Sequence, residues 1–114
     1  MGKVFNREIS VTGFETSDKG SGTDSSQAIT MHKRSGCITS STTNLAAATT
    51  QDITVTNKYC KADSIVLCIA DGGGTGDVVV AKVTPANGSF VVTTLNADQS
   101  NACNAAYKVR FVIF

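Results

Sequence analysis

The last eight residues alternate cleanly. Tyr107, Val109, Phe111 and Ile113 fall on one face, and Lys108 and Arg110 fall on the other. That is the period of a strand with one buried side. Comparable short runs recur upstream at 28–32, 36–41, 51–57, 64–70, 77–83 and 89–95, each bounded by Gly, Asn, Asp or Pro. The run 64–70, Ser-Ile-Val-Leu-Cys-Ile-Ala, is apolar on both faces, as in a central strand or one covered by a subunit contact. Thr84-Pro85-Ala86-Asn87-Gly88 reads as a turn whose Gly takes positive φ, so 78–83 and 89–95 are expected to pair as a hairpin. Leu45–Ala48 is the one helical hint, too short to stand alone in water. About seven short strands at this spacing predict an all-β fold: an antiparallel β-sandwich, for which a jelly roll is one arrangement.

The first 27 residues have a different texture. In 4–14 the apolar positions are Val4, Phe5, Ile9, Val11 and Phe14, with Ile9 and Val11 on one face and Ser10 and Thr12 opposite. Two readings stay open: an edge strand of the same domain, or an arm that adds to a neighbouring chain. Residues 15–27 contain no apolar side chain, which predicts a flexible loop or an arm ordered only by a partner. A chain of 114 residues holds one domain. The expected organisation is therefore a strand or arm with a polar loop over 1–27, then a β-sandwich over 28–114.

Composition narrows the function classes. One Pro, no Trp, and an abundance of Val, Ile, Thr, Ser, Asn and Gly suit strands joined by polar loops. The net charge is +1, and acids and bases are interspersed, so there is no basic stripe for a nucleic acid. Nor is there a polybasic or amphipathic membrane anchor. The opening residues lack the apolar run of a secretion signal, and no stretch approaches a membrane span. Synthesis in a cytoplasm is the expectation, which places the four cysteines under reducing conditions at first.

Candidate chemistry is thin. His32 is the one histidine, beside Lys33 and Arg34, with no constellation that would make it a general base or part of a triad. No enzyme, no cofactor and no metal site is expected. Asp71-Gly72-Gly73-Gly74-Thr75-Gly76-Asp77 lacks the Lys-Ser/Thr ending of a phosphate loop, and no helix follows it. It reads as a mobile connection between strands, with weak Ca²⁺ binding by its two Asp residues as the other reading. Cys37, Cys60, Cys68 and Cys103 form no C-x₂-C pair. Cys37 and Cys68 lie in strand patterns and read as small buried side chains. Cys60 and Cys103 each precede a strand, so a disulfide between them is conceivable if those strand starts adjoin.

The run 35–114 resembles small all-β virion proteins of tailed bacteriophages, in particular capsid decoration (cement) proteins and related head-fibre modules. The residues that carry the likeness are Ser35-Gly36-Cys37-Ile38-Thr39, Ile53-Thr54-Val55-Thr56-Asn57, Ala62–Leu67, the Gly-rich loop, Val83–Val92 and the closing Lys108–Phe114. Cys60, Cys68 and Cys103 stand where that pattern has apolar or small residues. The resemblance implies a structural role on the outer capsid surface, bridging capsomers, with the major capsid protein as partner and a homotrimer as the assembly. It implies a virion location after synthesis in the bacterial host cytoplasm, with no part for nucleic acid or membrane. Val4, Phe5, Ile9, Val11 and Phe14 are then the expected contacts to the capsid or an adjacent subunit. The alternative is a head- or tail-fibre module that binds host-surface glycans; the absence of Trp for sugar stacking weighs against it.

Overall fold

A computed structural model describes residues 19–114. The expectations placed on Val4, Phe5, Ile9, Val11 and Phe14 lie outside the described residues. Eight strands form two four-stranded sheets: β1 (Lys19–Thr23), β2 (Ala28–Thr30), β3 (Ser35–Thr39), β4 (Thr50–Thr56), β5 (Val66–Gly72), β6 (Val78–Ala86), β7 (Ser89–Asn96) and β8 (Tyr107–Ile113). The sheet orders are β1-β3-β8-β5 and β2-β4-β7-β6. The described fold is an all-β sandwich without helix.

The core comes from the inward positions that alternation assigns. Tyr107, Val109, Phe111 and Ile113 of β8 are all buried, and they meet Phe90 and Val92 of β7 and Ile53 and Val55 of β4. Phe90 and Phe111 stack across the sheets with ring centroids 5.2 Å apart, within the range of favourable tilted aromatic pairs. The hairpin β6–β7 turns through Asn87-Gly88, and Gly88 takes φ +84°. Pro85 sits in β6, the outer strand of its sheet, where a residue without N–H is tolerated.

The strand directions and the polar stretch depart from expectation. The sheets are mixed rather than wholly antiparallel, because β1–β3 and β2–β4 run parallel. Each connection from β1 to β6 crosses to the opposite sheet, so strands two apart in sequence become neighbours, β1 beside β3 and β2 beside β4. This order with parallel pairs is not the arrangement of a jelly roll built from antiparallel Greek keys. Of the two readings of the apolar run 64–70, the central strand is excluded, because β5 is an edge strand.

The polar stretch 15–27 is not all loop either, so the sandwich begins by residue 19 rather than 28. β1, Lys-Gly-Ser-Gly-Thr, pairs along its whole length with β3. It has no apolar side chain to bury, but it makes room for one. A Cβ on Gly20 would lie 2.8 Å from Met31 Sδ, and one on Gly36 in β3 would lie 2.5 Å from the same sulfur. Met31 therefore fills the space that these glycines leave open. The β1–β2 link is equally local. Ser25 and Ala28 exchange backbone hydrogen bonds across Ser26 and Gln27, which both take positive φ, and the Asp24 carboxylate accepts from the backbone N–H groups of Gln27 and Ser41.

Leu45–Ala48, the one helical hint, forms no helix; Ala48 takes φ +58° in a turn. Its N–H donates to the carbonyls of Asn96 and Asp98.

Candidate functional site

The two ends of the sandwich are closed by one buried asparagine each. At the end holding the 39–50, 72–78 and 96–107 connections, Asn96 is fully buried. Its Nδ2 donates to the carbonyls of Leu45 (3.1 Å) and Asn101 (3.0 Å), and its Oδ1 accepts from the N–H groups of Asp77 (3.0 Å) and Asp98 (3.1 Å). At the opposite end Asn57 donates to the Lys33 carbonyl and accepts from the Tyr59 N–H. Its own N–H reaches the Gly88 carbonyl. Buried amides that bond several backbone groups tie loops into one arrangement. Asn57 closes the 51–57 pattern and Asn96 directly follows the 89–95 pattern, the one signal by which the sequence could have singled them out.

The Gly-rich connection is tied rather than free. Gly72, Gly73 and Gly74 all take positive φ. Gly73 donates to Ala106 and accepts from Asn104, while Thr75 bonds the Asn104 side chain and the Ala102 carbonyl. The two Asp residues that framed it do different work. The Asp71 carboxylate is held by Arg110 at 3.1 Å, and the Asp77 backbone bonds Asn96 and Ala97. Among the described residues, no three His, Cys, Asp or Glu side chains are grouped to hold a metal ion, and no helix is long and apolar enough to cross a membrane. His32 is exposed, and its Nδ1 accepts from the Lys58 N–H at 3.0 Å. Arg34 lies over the Tyr59 ring, 4.6 Å from its centroid.

The Cys60–Cys103 disulfide does not form; all four thiols are free. The bridge required the starts of β5 and β8 to adjoin. These strands are antiparallel, with Val66 opposite Ile113 and Gly72 opposite Tyr107, so their starts lie at opposite ends. Cys60 packs beside Gly88, and Cys103 packs beside Gly73 and Gly76. Cys68 faces the core from β5, and desolvation pushes its thiol up to about 12. Because the thiolate is the nucleophile, a rise from 9.0 to about 12 cuts the reactive fraction at pH 8 by about a thousandfold. Iodoacetamide at pH 8 is expected to leave Cys68 unmodified in the native protein and to alkylate it at a free-thiol rate in urea, as read by peptide mass spectrometry.

One face of the molecule is built unlike the rest. On the outer side of the β1-β3-β8-β5 sheet, Leu67 and Ile69 stand beside Val112 and Arg110 of β8, and Cys37 of β3 lies across from Arg110. Ile65, Leu67, Ile69 and Phe114 are 62%, 56%, 64% and 56% exposed. Leu67, Ile69 and Phe114 border a shallow trough of about 510 Å³ whose wall includes Lys19 and Cys37. Isolated exposed apolar side chains need no explanation, but a contiguous group marks an interaction surface. The sequence registered the two-sided apolar character of 64–70 and left open which contact it served. Compared with known proteins, the chain matches no family model, no curated protein and no solved structure.

Proposed function

We propose that this protein is a virion structural protein, a capsid decoration (cement) protein that binds the outer capsid surface and stabilises the shell by bridging capsomers. The observation that supports this reading is the apolar outer face of the β1-β3-β8-β5 sheet. Four large side chains more than half in water represent, at ~25 cal/mol per Å² of apolar surface, several kcal/mol that only association recovers. The rest of the design suits a passive element. Both ends are pinned by buried amides, and the sheets are joined by a well-filled core. A rigid body that binds only the assembled lattice stabilises that lattice by mass action, and small gains repeat at every site.

The test is binding to the empty capsids of the virus that encodes the protein. Saturable binding to expanded capsids, and a rise in their melting temperature, are the expected results. Binding to a glycan array without capsid binding would instead favour the alternative, a head- or tail-fibre module that recognises host-surface sugars.

A further inference from the structure

We infer that the end of the sandwich formed by the 31–34 and 57–65 connections binds a phosphate or sulfate group, held by Arg34, Lys58 and His32 around the Tyr59 ring. The assignment goes beyond the capsid reading and does not involve the apolar face.

Three observations lead there. The first is the sorting of charge. Acids and bases are interspersed along the chain, but the fold brings two basic stretches together. The Met31 N–H donates to the Thr56 carbonyl, the Asn57 side chain donates to the Lys33 carbonyl, and the Lys58 N–H donates to His32. These connections carry Lys33, Arg34, Lys58 and Lys61 against Asp63 alone. Arg34, Lys58 and Lys61 form no ion pair with another described residue. Like charges gathered this way repel one another, and an anion supplied from outside relieves the repulsion.

The second is geometry. Tyr59 packs partly buried against the core, and its N–H is held by the Asn57 side chain, so the ring is a fixed support. Arg34 Cζ lies 4.6 Å and Lys58 Nζ 5.4 Å from its centroid, both within reach of cation–π attraction. The His32 Nδ1 accepts from the Lys58 N–H at 3.0 Å, which leaves Nε2 of this exposed ring as an N–H donor. A guanidinium fork, an ammonium and an imidazole N–H therefore surround one residue. All three donate.

The third is the match to a ligand. One guanidinium fork fills both oxygens of a carboxylate. A phosphate or sulfate group offers a further oxygen, which the ammonium and the imidazole can share. Bases stack on open aromatic faces, whereas the Tyr59 ring is taken up by Arg34 and Lys58. Cations confined to one end of the sandwich are also too few to follow a duplex.

The probes are inorganic phosphate and sulfate, with acetate at equal ionic strength as the comparison, followed through backbone amide signals by nuclear magnetic resonance. Phosphate and sulfate are expected to shift Lys58 and Tyr59 saturably, with Kd on the order of millimolar, and acetate to bind about fivefold more weakly. Arg34→Gln and Lys58→Gln are each expected to weaken phosphate about fivefold, while Lys82→Gln on β6 leaves it unchanged. Tyr59→Leu is expected to weaken it too and Tyr59→Phe to restore it, which separates support of the cations from loss of the fold. A sulfated polysaccharide that displaces phosphate at ~0.15 M salt would support the site and identify a polymer as the source of the group. Phosphate binding without it would support the site with the free ion as ligand. The inference is overturned by an equal response to acetate, or by phosphate shifts that survive in the Arg34 and Lys58 variants. Tighter binding of a short DNA duplex than of the polysaccharide at that salt would overturn it as well.

Discussion

Asn96→Ala is expected to lower the unfolding free energy by about 3 kcal/mol and the melting temperature by about 15 °C. The side chain is fully buried and bonds four backbone groups from three separate connections: Leu45, Asp77, and the turn through Asp98 and Asn101. Alanine removes all four partners at once. The Leu45 carbonyl keeps a bond from the Cys103 N–H, so the loss falls mainly on the N–H groups of Asp77 and Asp98 and on the Asn101 carbonyl. Each buried group left unpaired costs about 1–3 kcal/mol, reduced where water reaches it. Asn96→Asp separates the terms, since it keeps both acceptor contacts and deletes both donors. Its melting temperature is expected to fall as well. Chemical denaturation of the three proteins with unchanged m-values measures this. An alanine variant within 0.5 kcal/mol of wild type would show that the loops hold without the amide.

Phe111→Ala is expected to be larger still, about 4 kcal/mol, in the range for removing a buried ring from a core. Phe111 lies on β8, one of the two strands with neighbours on both sides in the first sheet. Its ring meets Phe90 of the opposite sheet at an interplanar angle of 57°. It also closes the space above Gly36, where a Cβ would come within 2.7 Å of its Cε2. The substitution thus removes a ring that contacts both sheets and the glycine-lined pocket. A double-mutant cycle with Phe90→Leu is expected to yield a coupling of about 1 kcal/mol beyond the separate losses. A coupling near zero would mean that the two rings contribute through burial alone.

The sequence was most informative where one buried face met ordinary side chains. β8 and the β6–β7 hairpin are legible because Tyr107, Val109, Phe111 and Ile113 repeat every second residue and Gly88 marks the turn. β1 is invisible to the same reading. Its contribution to packing is the absence of side chains at Gly20 and Gly22, filled by Met31 and Ile29 from beyond the turn, and no local pattern reports a void. The parallel pairs were missed for a related reason: which sheet each strand joins depends on crossings between layers, not on periodicity. The candidate face was half legible. Leu67 and Ile69 announced a second apolar side to β5. Whether that side met the protein's own core or faced outward depended on β5 lying at an edge. The Cys60–Cys103 bridge failed on strand direction, which the spacing of cysteines does not encode.

The order of strands also bears on how the molecule is made. Among the described residues, only the β6–β7 pair joins neighbours in sequence; β5 pairs with β8, and β3 pairs with β8 across more than sixty intervening residues. Closing such long intervals before contacts repay them slows folding, typically to milliseconds or longer. On the ribosome β5 has no ladder partner until residues 107–113 have emerged, so Leu67, Ile69 and the future core wait together in an unpaired nascent chain. The β6–β7 hairpin is the natural first structure, and translation rate or chaperone supply over the final segment should govern yield more than the stability of the finished sandwich.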